Sequence, residues 1–268
     1  MLVKYFEDLD KIGYEQYLKD NPFYLDLLEQ FPKDFGKSFK DIYESVDPDN
    51  KTPFSSEYDD LVRLHYLIRE RKVTTILEFG VGKSSVVFNH ALKTNKNDFG
   101  DFVGENLRRA NPFECHSIDN NSFWIKKVKD TYGDLPNVHF HHSEVRLTLL
   151  NNRICSLYDT IPNICPDFIY LDAPDQFSVL GDVNGIHSRT ADRLPMAADI
   201  LLIEYYLLPG TLIVVDGRTA NARFLLNNLQ RKWDYKYIEE FDQHFFELIE
   251  EPLGIYNKRQ IDFCLNKK

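Results

Sequence analysis

The sequence predicts an α/β fold: a mostly parallel sheet with helices on both faces, an antiparallel finish and a helical N-terminal segment. Three observations predict it. From Val73 onward, short β-rich runs alternate with helical stretches, the alternation that builds a parallel sheet. Near the C-terminus, strand-like runs follow one another with no long helix between them, which requires an antiparallel element. Before Val73, apolar residues fall on an irregular helical face and not in strand alternation.

Taken in order, Tyr14, Tyr17, Leu18, Leu25, Leu28 and Phe31 mark short helices, cut by Pro22, Pro32, Pro48 and Pro53. Residues 47–56 read as a polar loop. A longer helix is expected over 56–72, with Tyr58, Leu61, Leu64, Leu67 and Ile68 at helical spacing. Residues 1–72 thus form a helical cap and residues 73–268 the main domain. Strands are expected at 75–79, 114–118, 138–142, 167–171 and 211–215. Helices are expected at 84–93, 122–132, 143–151, 191–208 and 220–232. The stretch 94–112 reads as polar and of undetermined role. Strand-like runs at 235–240, 244–250 and 260–265 supply the antiparallel element, without showing which of them join the sheet.

Composition narrows the function classes. The 268 residues carry a formal net charge of −10, which argues against a protein that holds nucleic acid by broad charge neutralisation. The first ten residues carry Lys4, Glu7, Asp8 and Asp10, unlike a signal peptide. The longest apolar stretch, 200–215, is broken by Glu204 and Pro209-Gly210, so no membrane span is expected. Cys115, Cys155, Cys165 and Cys264 form no C-x-x-C pair and read as reduced thiols of a cytoplasmic protein.

The strongest chemical signal is Ile76-Leu77-Glu78-Phe79-Gly80-Val81-Gly82-Lys83-Ser84-Ser85. A buried strand ends in an acid, a glycine turn follows, and a helix begins. Gly80 and Gly82 allow close backbone approach to a ligand, and N–H groups at the helix start can meet a polar group. The spacing fits neither G-x-x-x-x-G-K-[ST] nor G-x-G-x-x-G, which disfavours a P-loop and a nicotinamide dinucleotide. A second strand, Cys115-His116-Ser117-Ile118-Asp119, also ends in an acid. Asp119 can accept both ribose hydroxyls of a nucleoside or cap the following helix. Two further strands end in acids, at Leu171-Asp172-Ala173-Pro174-Asp175 and Val215-Asp216-Gly217-Arg218. In a parallel sheet all these ends face one crevice.

On these motifs, over roughly residues 73–265, the chain resembles the class I S-adenosylmethionine-dependent methyltransferases. Glu78 to Ser84 stands where that family has its first motif, although Ser84 replaces a glycine found in many members. Asp119 matches the ribose acid, 167–172 the fourth-strand motif and Pro209-Gly210 the approach to the fifth strand. The resemblance implies a Rossmann-like, seven-stranded sheet. It also implies S-adenosylmethionine held by Glu78, Gly80, Gly82, Ser84 and Asp119, with Ser143 and Glu144 near the adenine and Asp172 close by.

Asp172 and Asp216 resemble the acids that hold a divalent cation in catechol-type O-methyltransferases. Gly217 stands where those enzymes place a metal-binding Asn; Asn221 or substrate could fill that gap. Such an oxygen site suits Mg2+, Ca2+ or Mn2+, which would lower the acceptor hydroxyl's pKa. Asp175 or His187 is the candidate general base, with Asp182, Arg189 and Arg218 bordering the acceptor. His139, His141 and His142 lie on one strand with no nearby acid or cysteine, and a solvated or hydrogen-bonded face is expected there. Tyr5, Phe6, Tyr14 and Tyr17 are expected to pack and not to recognise a ligand.

The sequence thus predicts an O-methyltransferase acting on a hydroxyl of a small polar acceptor, such as a sugar, sugar nucleotide or glycan unit, with divalent-metal help. The place of an Asn/Asp-Pro-Pro-Tyr nitrogen-methylation motif reads Asp172-Ala173-Pro174-Asp175. The alternatives are a metal-independent methyltransferase and a non-catalytic nucleoside-binding protein of the same fold. Neither nucleic acid nor membrane is an expected partner, and a homo-oligomer is compatible with the sequence.

Overall fold

The computed structural model describes residues 2–23 and 58–265. The expected loop at 47–56 and the apolar positions Leu25, Leu28 and Phe31 lie outside the described residues.

The chain opens with α1 (Leu2–Ile12), which buries Leu2, Phe6 and Leu9 at helical spacing. Gly13, at φ 83°, separates it from α2 (Tyr14–Asp20), which buries Tyr17 and Leu18. Helix α3 (Tyr58–Glu70) is buried around most of its circumference. These helices share one apolar cluster with the sheet residues Ile76, Phe168, Tyr170, Leu212, Val214 and Phe245. Phe6 and Tyr17 belong to this cluster, and Tyr5 and Tyr14 pack against it, as the expectation of packing required.

The main sheet uses β1 (Thr75–Phe79), β2 (Glu114–Asp119), β3 (Val138–His142), β6 (Phe168–Leu171), β7 (Leu212–Asp216), β8 (Trp233–Ile238) and β9 (Gln243–Leu248). Its order is β3-β2-β1-β6-β7-β9-β8. All pairs are parallel except those of β9, which runs antiparallel to both β7 and β8. This is the predicted seven-stranded, mostly parallel α/β sheet, with the final strand inserted antiparallel. Helices α4 (Lys83–Asn106), α5 (Ser122–Tyr132), α6 (Asp199–Ile203), α7 (Thr219–Leu226) and α8 (Ile255–Cys264) complete the layers. A second apolar cluster covers the opposite face, joining Leu77, Phe79, Ile169, Leu171, Ile213 and Val215 to Ile200, Ala222 and Leu225.

Several expected elements differ from those observed. Residues 143–151 are not helical: β4 (Val145–Leu150) and β5 (Arg153–Tyr158) form a separate two-stranded sheet. Asn151 and Asn152, at φ 50° and 61°, supply the two left-handed positions that a two-residue hairpin turn needs. The polar stretch after residue 94 continues α4 as far as Asn106. Asn95 is buried and donates to the carbonyls of Ile68 and Val73 at 3.1 and 2.9 Å, while Val103 packs with Leu107, Phe113, Phe99 and Phe263. An inward face at spacings of four thus outweighs Gly100 and Gly104. The run 260–265 belongs to α8, whose buried Asn257, Gln260, Ile261 and Cys264 follow helical spacing. Of the helix expected at 191–208, only Asp199–Ile203 and a 3-10 turn at Glu204–Tyr206 form.

Among the described residues, no helix is long and apolar enough to cross a membrane. The four cysteines are free, and three of them are buried.

Candidate active site

Strand register assembles the site. Phe79 pairs with Ile118 on one side and with Leu171 on the other, and Leu171 pairs with Val215. The next residues, Gly80, Asp119, Asp172 and Asp216, therefore stand in one row along the C-terminal edge of the sheet. In an open parallel sheet ligands bind outside this edge, at the point where strand order reverses. Here that point lies between β1 and β6.

The glycine turn is built by hydrogen bonding. Gly80 sits at φ 106°, and a Cβ there would meet Ala173 Cβ at 3.2 Å, so a side chain is excluded by both conformation and contact. A Cβ on Gly82 would point into open space. Glu78 lies completely buried beneath the turn. Its oxygens accept from Ser84 Oγ at 2.5 Å, Ser85 Oγ at 2.6 Å and Ser117 Oγ. Burial pushes its carboxyl up to about 7 against the opposing pull of these three hydroxyls. As folded, Glu78 and Ser84 bind each other and fix the start of α4.

Asp119 closes the turn from β2. Its Oδ2 accepts from Val81 N at 2.9 Å and its Oδ1 from Asn121 N at 2.7 Å. Burial raises its carboxyl to about 6, opposed by these backbone donors. The cap of α5 is Asn121, whose side chain accepts from Phe123 N, so Asp119 is spared that duty. Each Asp119 oxygen keeps a lone pair. Ser143 follows β3 beside it: Ser143 N donates to Asp119 O at 3.1 Å, and Ser143 Oγ accepts from Thr160 N at 2.9 Å. Glu144 is half-buried next to it.

Asp172 and Asp216 complete the row, in different states. Asp216 accepts from the Tyr170 hydroxyl and from Gln243 Nε2, the latter at 3.1 Å. Burial raises its carboxyl, and those two donors hold it back. The Asp172 carboxylate receives no hydrogen bond from the described residues. It is open to water on one side and crowded by protein on the others, as befits the floor of a crevice. Crowding first, and then the charge of Asp216, push its carboxyl up, while the Arg218 guanidinium opposes them. Arg218 is buried, and its Nη2 donates to Pro174 O at 2.7 Å.

The structure separates the two candidate bases. Asp175 caps its own loop: Oδ1 accepts from Phe177 N at 2.7 Å and Ser178 N at 3.1 Å, and Oδ2 accepts from Ser178 Oγ. His187 has a buried Nδ1 without a hydrogen-bond partner among the described residues. It lies just beyond a tight turn in which Val183 and Ile186 exchange backbone bonds at 2.9 Å. Asn221 is not available as a cation ligand. It is fully buried, and its amide makes both of its 3.0 Å bonds to the Ala197 backbone.

Sequence reasoning missed several residues of this region. Tyr158 packs on Phe79, with ring centroids 5.7 Å apart, and its buried hydroxyl has no hydrogen-bond partner among the described residues. Burial holds that hydroxyl well above the usual phenol range, helped by the nearby charges of Asp119 and Asp199. Asp199 Oδ1 accepts from Tyr158 N at 2.9 Å, and Asp199 Oδ2 has no partner among the described residues. Arg218, which the sequence did place at the acceptor's border, also leaves Nε without a partner among the described residues. Buried polar atoms without partners are uncommon and costly, and each calls for an explanation such as a bound water, an ion or a functional role. No pattern in the sequence marks Tyr158, because β5 was not foreseen.

The histidine-bearing strand also needs correction. His139 and His141 are not without an acid: Glu114 and His116 of β2 stand on the same face.

No family model matches the chain, and no curated protein matches it in sequence. Solved structures do show similarity. A Klebsiella pneumoniae protein, by name an O-methyltransferase, is 11% identical over 74% of this chain and 84% of its own, with TM-score 0.43. The SAH-bound methyltransferase PaMTH1 of Podospora anserina is 13% identical over 76% of this chain and 85% of its own, with TM-score 0.42. The O-methyltransferase TomG of Streptomyces achromogenes, in complex with SAM, is 13% identical over 88% and 89%, with TM-score 0.37. The likeness is one of chain trace, at identities too low to transfer chemistry between proteins.

Proposed function

We propose that the chain transfers a methyl group from S-adenosylmethionine to a hydroxyl oxygen of a small polar acceptor. One observation carries this reading: the row Gly80, Asp119, Asp172 and Asp216 combines a nucleoside-type pocket with an open, unpartnered acid on one sheet edge.

The residues present fit the donor. The open space over Gly82 admits a ligand against the backbone. Asp119 retains the lone pairs to accept two ribose hydroxyls while it holds Val81. Ser143 and Glu144 border the adenine side. Glu78 contributes from below, through Ser84 and Ser85, by keeping the turn in shape. S-adenosylmethionine supplies an electrophilic methyl carbon on a sulfonium.

On the acceptor side the chain positions the hydroxyl and takes its proton. As the acceptor oxygen takes the methyl group and S-adenosylhomocysteine leaves, the hydroxyl proton would go to His187 Nδ1, which no described group occupies, whereas three donors already occupy the Asp175 carboxylate. Asp172 and Asp216 would hold a divalent cation with water and acceptor oxygens as its other ligands, a sparse protein set that suits Mg2+. The cation would lower the pKa of the bound hydroxyl. Polar atoms of Tyr158, Asp199 and Arg218 suit a polyhydroxylated acceptor, such as a sugar or sugar nucleotide, better than a flat apolar ring.

The test supplies S-adenosylmethionine with a sugar-nucleotide panel and a catechol, and measures S-adenosylhomocysteine. Turnover with a sugar nucleotide supports the reading. Turnover with the catechol alone overturns the acceptor class, and no turnover with any hydroxyl overturns catalysis. A second reading, without metal, is favoured by Arg218, which already offsets the charge of Asp172; it requires unchanged turnover after exhaustive chelation.

A further inference from the structure

We propose that the chain carries a second, separate metal site, for a borderline transition ion such as Zn2+, on the β2–β3 edge of the sheet. Its ligands are Glu114, His116 and His139.

The backbone creates the cluster. Glu114 and His116 are two residues apart on β2 and so share one face. Parallel register pairs His116 with His139, which puts His139 on that face as well. The reactive atoms converge. Glu114 Oε2 lies 3.0 Å from His116 Nε2 and 3.7 Å from His139 Nε2, and one ligand atom from each residue falls within 4.8 Å of the others. Around a tetrahedral zinc ion, with bonds of about 2.1 Å, ligand atoms are separated by about 3.4 Å. The three side chains already stand close to that spacing.

The surroundings fit as well. A metal-bound imidazole usually donates its other N–H to a fixed acceptor. His116 Nδ1 lies 3.0 Å from His141 Nε2, and the two rings stack at 5.2 Å. Asn111 Nδ2 donates to Glu114 Oε2 at 2.9 Å and orients that carboxylate. In the metal-free chain, His116 Nε2–H can donate to Glu114 while Nδ1 accepts from His141. With an ion bound, the tautomer reverses: Nε2 gives its lone pair to the metal, and Nδ1–H donates to His141. No heavy atom in that hydrogen-bond pair has to move far.

The site has an open side. His139 is about half exposed, and with His141, Lys129 and Asp134 it lines an open cleft of about 650 Å³. A fourth ligand can therefore be water. Two imidazoles and one carboxylate suit zinc, copper or nickel and disfavour magnesium, which prefers oxygen ligands. The proposal is independent of methyl transfer. Glu114 begins β2, whereas the acid row lies at the other end of the strands. Because β3 is an edge strand, an ion here would pin it to β2.

The test uses the full chain stripped with a chelator and titrated with Zn2+ against a chromogenic competitor. The expected result is one zinc per chain. Affinity should fall at least ~100-fold in E114Q/H139A and about tenfold in H141A, on the scale of a lost orienting partner. It should be unchanged in D172N and H187A. Circular dichroism of the stripped double variant checks that it folds. Cobalt substitution should give the visible spectrum of a tetrahedral site with two nitrogen and two oxygen ligands in the wild type and lose it in the double variant. Undiminished zinc stoichiometry in a folded E114Q/H139A, or wild-type binding no tighter than that of the double variant, would overturn the site.

Discussion

The two ends of the parallel strands treat their acids in opposite ways. At the N-terminal end, Asp167 accepts from Thr74 N, Thr74 Oγ1 and Thr75 N, at 2.8 to 3.2 Å. Glu247 pairs with Arg71 at 2.9 Å, and Arg71 also donates to Gly210 O at 2.7 Å. Both of these acids are paired, and together their contacts stitch the starts of β1 and β6 to β9. At the C-terminal end, Asp172 lacks a donor among the described residues, and the carboxyls of Glu78, Asp119, Asp172 and Asp216 are all raised. Acids that serve the fold are paired. At the C-terminal end burial outweighs the donors that the acids have, and Asp172 has none among the described residues, so these carboxyls are poised to respond to a ligand.

Four substitutions can break or sharpen this contrast. Asp167→Ala should cost the most stability, about 4 kcal/mol, because several buried donors lose one acceptor together. Urea unfolding measures it, and binding of S-adenosylhomocysteine by the folded fraction should be unaffected. A large loss of binding would blur the two ends into one system.

Glu78→Gln addresses the buried acid. The folded chain keeps the Glu78 proton up to about pH 7, whereas an ordinary glutamate releases it near 4.5. Between those values the folded state holds more protons than the unfolded state, so stability should fall as pH rises through this window. For this group the loss is on the order of 3 kcal/mol. The stability advantage is fully present below the unfolded pKa and is gone above the folded one. In Glu78→Gln that part of the pH profile should flatten, as read from unfolding curves at a series of pH values.

Asp172→Asn should reduce turnover at least ~100-fold, about 2.7 kcal/mol in the barrier, while leaving stability unchanged or slightly higher. It removes a like charge beside Asp216 and breaks no hydrogen bond to the carboxylate. A strongly destabilised Asp172→Asn would move this acid into the structural group. Tyr170→Phe should have the smallest effect, about 1 kcal/mol of stability for one hydrogen bond. Calorimetric melting would show it.

Much of the fold was legible because its signals are local. The strands at 75–79 and 138–142 and the helix at 122–132 were read with their observed bounds, and the acids at strand ends need only strand order to become a row. What was missed depends on pairing or on the far side of a helix. The hairpin at 145–158 hid behind Leu147, Leu149 and Leu150, which also suit a helix; Asn151-Asn152 was the available signal. The extension of α4 rests on Asn95 reaching the carbonyls of Ile68 and Val73, contacts between distant segments. The same holds for the site. Glu78 and Asp119 could be singled out from their motifs, but Ser117 beneath Glu78 and Tyr158 against Phe79 could not. Glu114 and His116 show the strand period, yet only the parallel register brings His139 to them.

The central claim is that the C-terminal edge of the sheet holds a nucleoside through Asp119. Calorimetric titration of S-adenosylhomocysteine into the wild type and into Asp119→Asn, with and without magnesium, tests it most directly. The account predicts micromolar-range affinity for the wild type, about −8 kcal/mol, and a loss of about 100-fold in the folded variant. Failure of the wild type to bind under either condition, or equal binding by the variant, would contradict it.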